Sequence, residues 1–92
     1  MSPNVLADVP PQHNFSVCDG RVLRNLQELQ GALVKMGDNI YSYHANDKKN
    51  DFANWVNDIF KEPKLAQRLR NASKRQDAIK AVASILNAAK RK

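Results

Sequence analysis

Ninety-two residues, 42% of them apolar and carrying a formal net charge of +6, suit one domain with a single small core, near the lower size at which a fold needs no staples. One cysteine, Cys18, and no C-x-x-C pair exclude an intramolecular disulfide framework and a cysteine-rich zinc site, and make a reducing, cytoplasmic setting the default. No apolar run approaches the roughly 18 residues of a membrane helix and the start carries no signal-peptide pattern, so neither spanning nor secretion is expected.

From the start, residues 1–13 hold Pro3, Pro10 and Pro11 and no helical or strand period, and read as a disordered arm ahead of a single helical domain over 14–92. Phe15, Val17 and Cys18 with Ser16 and Asp19 suggest a short extended entry segment, in which Cys18 is a small buried hydrophobe rather than a nucleophile. Val22, Leu26, Leu29, Leu33 and Met36 then recur at helical spacing, which predicts a helix from Gly20 to Met36 capped by Asp19 and ended by Gly37 in a left-handed conformation. Gly31 inside it marks an expected close approach of another helix.

Asp38 stands as the cap of a short helix to Ala45, with Ile40, Tyr43 and His44 on one face. A polar turn, Asn46-Asp47-Lys48-Lys49-Asn50, leads into the stretch that holds the only tryptophan and two of the three phenylalanines. There Phe52, Trp55, Val56, Ile59 and Phe60 fall at i, i+3, i+4, i+7 and i+8, the stripe of an amphipathic helix capped by Asp51 or Asn50. Pro63 ends it and opens a fourth helix to Asn71, with Leu65, Ala66 and Leu69 inward and Lys64, Arg68 and Arg70 outward. Ser73 and Gln76 make a capping-box pattern before a fifth helix carrying Ile79, Val82, Ile85, Leu86 and Ala89. The expected fold is all-α, a compact bundle of four to five short helices with a disordered N-terminal arm.

Little in the chain points to catalysis. His44 and Asp47 are three apart on a helix and could touch, but a metal or an acid–base pair needs further groups that no spacing supplies. A structural histidine bonded to a carbonyl or carboxylate near Trp55 is the expectation, with no catalytic, cofactor or metal residues. Tyr41, Tyr43 and Trp55 interleave with Lys48 and Lys49 as in proteins that stack bases. Trp55 belongs to the apolar stripe, which leaves Tyr41 as the aromatic expected at the surface.

The charge is unevenly spread. Residues 1–60 carry Arg21, Arg24, Lys35, Lys48 and Lys49 against seven acids, whereas residues 61–92 carry ten cations against Glu62 and Asp77. An excess confined to the last third suits an anionic partner, since Lys and Arg replace the counterions condensed on phosphates. Arg68, Arg70, Lys74, Arg75, Lys80, Lys90, Arg91 and Lys92 are the residues expected to bind nucleic acid, DNA ahead of RNA and with little sequence dependence. A solvated helix face explains the same charges without a ligand, and Lys90 to Lys92 also complement a helix dipole. The alternative function is a protein-interaction or oligomerisation module whose basic face meets an acidic protein.

The order Phe15, Cys18-Asp19-Gly20-Arg21, Leu26-Gln27-Glu28-Leu29, Met36, Tyr43-His44, Lys49-Asn50-Asp51-Phe52-Ala53-Asn54-Trp55-Val56, Leu65-Ala66 and Leu69 resembles a small helical domain of unknown function that recurs in archaeal and some bacterial proteins. Its most specific part is the histidine followed by the acid-Phe-Ala-polar-Trp run. The resemblance spans about residues 15–86. It implies an all-α module and an archaeal or uncultivated-lineage source, and it implies no reaction.

Overall fold

The computed structural model describes residues 7–72 and 74–90, the Lys90 side chain excepted. Among the described residues a 3-10 turn (Pro11–His13) and a two-stranded antiparallel ribbon, β1 (Phe15–Ser16) and β2 (Val22–Leu23), precede five helices. These are α1 (Leu26–Lys35), α2 (Asp38–His44), α3 (Asp51–Phe60), α4 (Pro63–Asn71) and α5 (Arg75–Lys90). The fold is therefore mostly helical but not purely all-α.

The tryptophan stripe forms α3 as expected. The Asn50 side chain accepts the Ala53 amide at 3.0 Å, the cap that a helix start with unpaired N–H groups requires. Phe52, Trp55, Val56 and Phe60 are buried and Ile59 packs against the core. The helix stops at Lys61, which takes a left-handed conformation (φ 56°), and Pro63 then starts α4, where its missing N–H costs nothing. α3 packs on α4, α4 on α5, and α5 on α1, so that Leu26, Leu29, Leu33, Phe52, Val56, Phe60, Leu69, Val82 and Leu86 form a dry centre.

The first predicted helix starts too early. Helix α1 begins at Leu26, because Asn25 accepts the Glu28 amide at 2.8 Å while the Glu28 carboxylate accepts the Arg24 amide at 2.8 Å, a reciprocal arrangement akin to a capping box. Upstream, Phe15 pairs with Leu23 and Ser16 with Val22, and Gly20 supplies the positive φ of 100° that the connecting turn needs. Gly37 is not left-handed either: at φ −75° it is the extended residue before α2. The last carbonyls of α1 are instead met by a charged side chain, Arg75, which donates to Leu33 O at 2.8 Å and Val34 O at 3.1 Å. Gly31 marks no close approach, since a Cβ there would meet nothing within 4 Å.

Residues 1–6 of the expected arm lie outside the described residues, but the rest of it is docked rather than disordered. Val9 is buried and its amide donates to Arg24 O at 2.8 Å, and His13 O accepts the Trp55 indole N–H at 2.6 Å. A buried indole needs an acceptor, and prolines already restricted in φ lose little entropy in supplying one. Cys18 also departs from expectation: its thiol is exposed, because the hairpin turn directs its backbone N–H inward to His44 and leaves the side chain outside.

Candidate nucleic-acid interface

Between α2, the 45–50 loop, the start of α3 and the α4–α5 junction lies a partly open groove of about 1430 Å³. Five cations line it, Lys48, Lys49, Arg70, Lys74 and Arg75, against Asp38 and Asp47. The loop that carries the first two is organised by Asn46, whose side chain accepts the Lys48 amide at 2.9 Å and donates to Ser42 O at 2.9 Å, while its own amide donates to Lys49 O at 2.8 Å. This is the local competition with the backbone that makes asparagine a turn residue. Asn50 joins the loop to the other wall by donating to Leu69 O at 3.0 Å.

The cations differ in what already holds them. Arg75 is committed to the fold, because besides its two carbonyls it pairs with Asp38 at 3.0 Å and is 24% exposed. Lys49 pairs with Asp51 at 3.1 Å and lies 4.8 Å from the Tyr43 ring centroid. Arg70 makes one bond of 3.2 Å to Asn54. Lys48 and Lys74 are exposed and form no ion pair with the described residues.

The single basic surface expected from the sequence is thus divided. Arg70, Lys74 and Arg75 do come together, and Lys48 and Lys49 join them from a loop more than twenty residues earlier. Arg68 does not line the groove: two positions from Arg70, it points about 160° away round a helix of 3.6 residues per turn, so the two arginines occupy opposite flanks of α4. Lys80 is likewise off the groove, two positions from both buried Ala78 and buried Val82 and so on the far side of α5. Lys90 ends α5 about 22 Å along the helix axis from Arg75, and Arg91, Lys92 and the Ser73 cap lie outside the described residues.

Behind the groove, His44 is a structural hub. It is 4% exposed; its Nε2 accepts the Cys18 amide at 3.0 Å and its Nδ1 meets Asp51 at 3.0 Å. The amide donor requires a lone pair on Nε2, so the proton sits on Nδ1 and is donated to Asp51. Asp47, the partner considered from the sequence, is not used. Burial opposes ionisation of Asp51, but hydrogen bonds from His44 and Lys49 together with the Lys49 charge outweigh it and hold its carboxyl below the usual carboxylate value. Phe15 and Phe52 pack against the imidazole, 5.2 Å and 5.3 Å from its centroid, and Trp55 packs on Phe15 behind them at 5.6 Å. This geometry serves a satisfied buried histidine.

The aromatic expected at the surface is the wrong tyrosine. Tyr41 is buried and stacks on Phe52 at 5.9 Å; burial, reinforced by the Asp77 charge, pushes its hydroxyl pKa up. Tyr43 is the exposed one, at 58%.

Among the described residues no helix is long and apolar enough to cross a membrane, and no group of three or more His, Cys, Asp or Glu is placed to hold a metal. Comparison with known proteins finds no matching family model, curated protein or solved structure. The functional reading therefore rests on the geometry of this chain.

Proposed function

We propose that the chain is a non-enzymatic nucleic-acid-binding module that takes the phosphate chain in the α2–loop–α4–α5 groove, with Lys48, Arg70 and Lys74 as its principal contacts. The observation that carries this reading is the convergence of five cations from separate segments on one concavity, three of which, Lys48, Arg70 and Lys74, form no ion pair among the described residues. Cations placed this way release condensed counterions when phosphates replace them. The start of α5 also opens into the groove at Lys74, Arg75 and Gln76, where a helix end adds positive potential. Contacts to phosphates carry no base information, so the module discriminates weakly among sequences. His44, with both ring nitrogens bonded inside the fold, supports a non-enzymatic reading.

Labelled DNA and RNA titrated at several salt concentrations test it. Three phosphate contacts give a slope of log affinity against log salt of about −3 on duplex DNA and about −2 on single strands. Replacing Lys48, Arg70 and Lys74 together by glutamine weakens binding to all sequences alike and flattens the slope, whereas Arg68→Gln with Lys80→Gln leaves both unchanged. No binding of the parent at low salt would overturn the proposal and favour an acidic protein as the partner.

A further inference from the structure

We propose that His44 is a pH-sensitive latch: neutral, it holds the hairpin turn of residues 17–21 on the helices, and protonated, it releases that turn while keeping its grip on α3. The two ring nitrogens have different partners. Nε2 accepts the Cys18 amide at 3.0 Å and Nδ1 donates to Asp51 at 3.0 Å. A second proton has only Nε2 to go to, and it turns that nitrogen from an acceptor into a donor. An N–H then faces an N–H, and a bond between two elements becomes a repulsion. The Asp51 side changes in the opposite sense, because a charged imidazole donates to a carboxylate more strongly than a neutral one. Asp51 stays ionised to accept it, since its carboxyl is held below the usual value.

The turn can lift as a unit. Within it the Val17 amide donates to Arg21 O at 2.8 Å and the Gly20 amide to Val17 O at 2.9 Å, and Arg21 pairs with Asp19 at 3.3 Å. Among the described residues, the bond from Cys18 to His44 is the hydrogen bond that ties residues 17–21 to the helices. A buried donor left without an acceptor is costly, and His44 is almost wholly enclosed. Phe15 from β1 and Phe52 from α3 cover the ring with hydrocarbon, and Tyr43 of α2 packs edge-on at 5.0 Å. Lifting the turn lets water reach the new Nε2 proton without disturbing those rings. Of the charged groups nearby, Asp51 favours the second proton, and Lys49, 3.1 Å from the same Asp51 oxygen, opposes it. Asp19 and Arg21 neutralise each other inside the turn, and the Cys18 thiol is exposed. The hairpin edge of the aromatic side therefore responds to acid, whereas α2 and α3 stay joined through Asp51.

The test is NMR with amide hydrogen exchange on the parent protein from about pH 8 to pH 5, the span over which histidine side chains ordinarily change charge. The ring signals of His44 report its protonation, and a His13→Gln variant, altered at an exposed side chain, assigns them. In step with that protonation the Cys18 amide is expected to lose at least about tenfold in protection factor, while the Val56 and Leu69 amides inside α3 and α4 keep theirs, as in a local opening. A Cys18 protection factor unchanged across the protonation of His44 would overturn the latch. So would a simultaneous loss at Cys18, Val56 and Leu69, which marks unfolding of the whole domain, or a ring that stays neutral until the chain unfolds.

Discussion

Helices α2 and α3 separate two regions with opposite polar chemistry. On one side His44, Phe15, Phe52 and Trp55 pack together, and the nitrogens of His44 and Trp55 all have partners inside the protein. On the other side, among the described residues, Lys48 and Lys74 have no ion pair and Arg70 makes one bond of 3.2 Å to uncharged Asn54. The difference follows from burial. A polar atom withdrawn from water costs free energy until it is paired, whereas an exposed cation is solvated and stays available. Neighbours in sequence separate on this rule: Arg75 reaches under the end of α1 and holds the fold, and Lys74 beside it stays in solvent. A high density of cations thus marks a ligand surface only after those already bonded within the fold are set aside.

The largest expected effect breaks the first region. Trp55→Ala removes a buried ring and strands the His13 carbonyl, and should cost about 3–5 kcal/mol, enough to unfold a domain of this size. A variant melting within a few degrees of the parent would mean that the aromatic side is not what holds the chain together. A smaller effect sharpens the contrast between neighbours. Arg75→Gln should cost about 1–2 kcal/mol in urea unfolding through its lost carbonyl and Asp38 bonds, while Lys74→Gln stays within about 0.5 kcal/mol of the parent. Equal costs would erase the division between structural and available cations.

The smallest effect lies at Asp51, which touches both regions through His44 and Lys49. Its carboxyl titrates lower in the folded chain than in the unfolded one, so its contribution to stability is present above the ordinary aspartate value of about 3.9 and is lost as pH falls through the lower folded value. Asp51→Asn should therefore be less stable than the parent at pH 6, and the difference in melting temperature should narrow between about pH 4 and pH 2. A difference that stays constant over that range would rule out the carboxylate charge as its source.

Helices α3 and α4 were legible in the sequence because their signals are local: a stripe from Phe52 to Phe60 repeats long enough to set a face, and Pro63 can only begin the next helix. The hairpin was not, since strands of two residues are too short to show a period and Val22 happens to match the helical spacing of Leu26 and Leu29. The choice between Tyr41 and Tyr43 was balanced in a similar way. On a helix of two turns they lie about 80° to either side of the Ile40–His44 direction, and only the position of Phe52 decides that Tyr41 goes in. The net charge and its bias to the last third are properties of composition, so the sequence alone determined them. Which cations share a groove depended on the packing of α4 and α5 against α2 and its loop. Helical geometry separates Arg68 from Arg70, while tertiary contacts draw Lys48 and Lys49 in and commit Arg75 to the carbonyls of α1, and such long-range pairings leave no periodic trace in a linear chain.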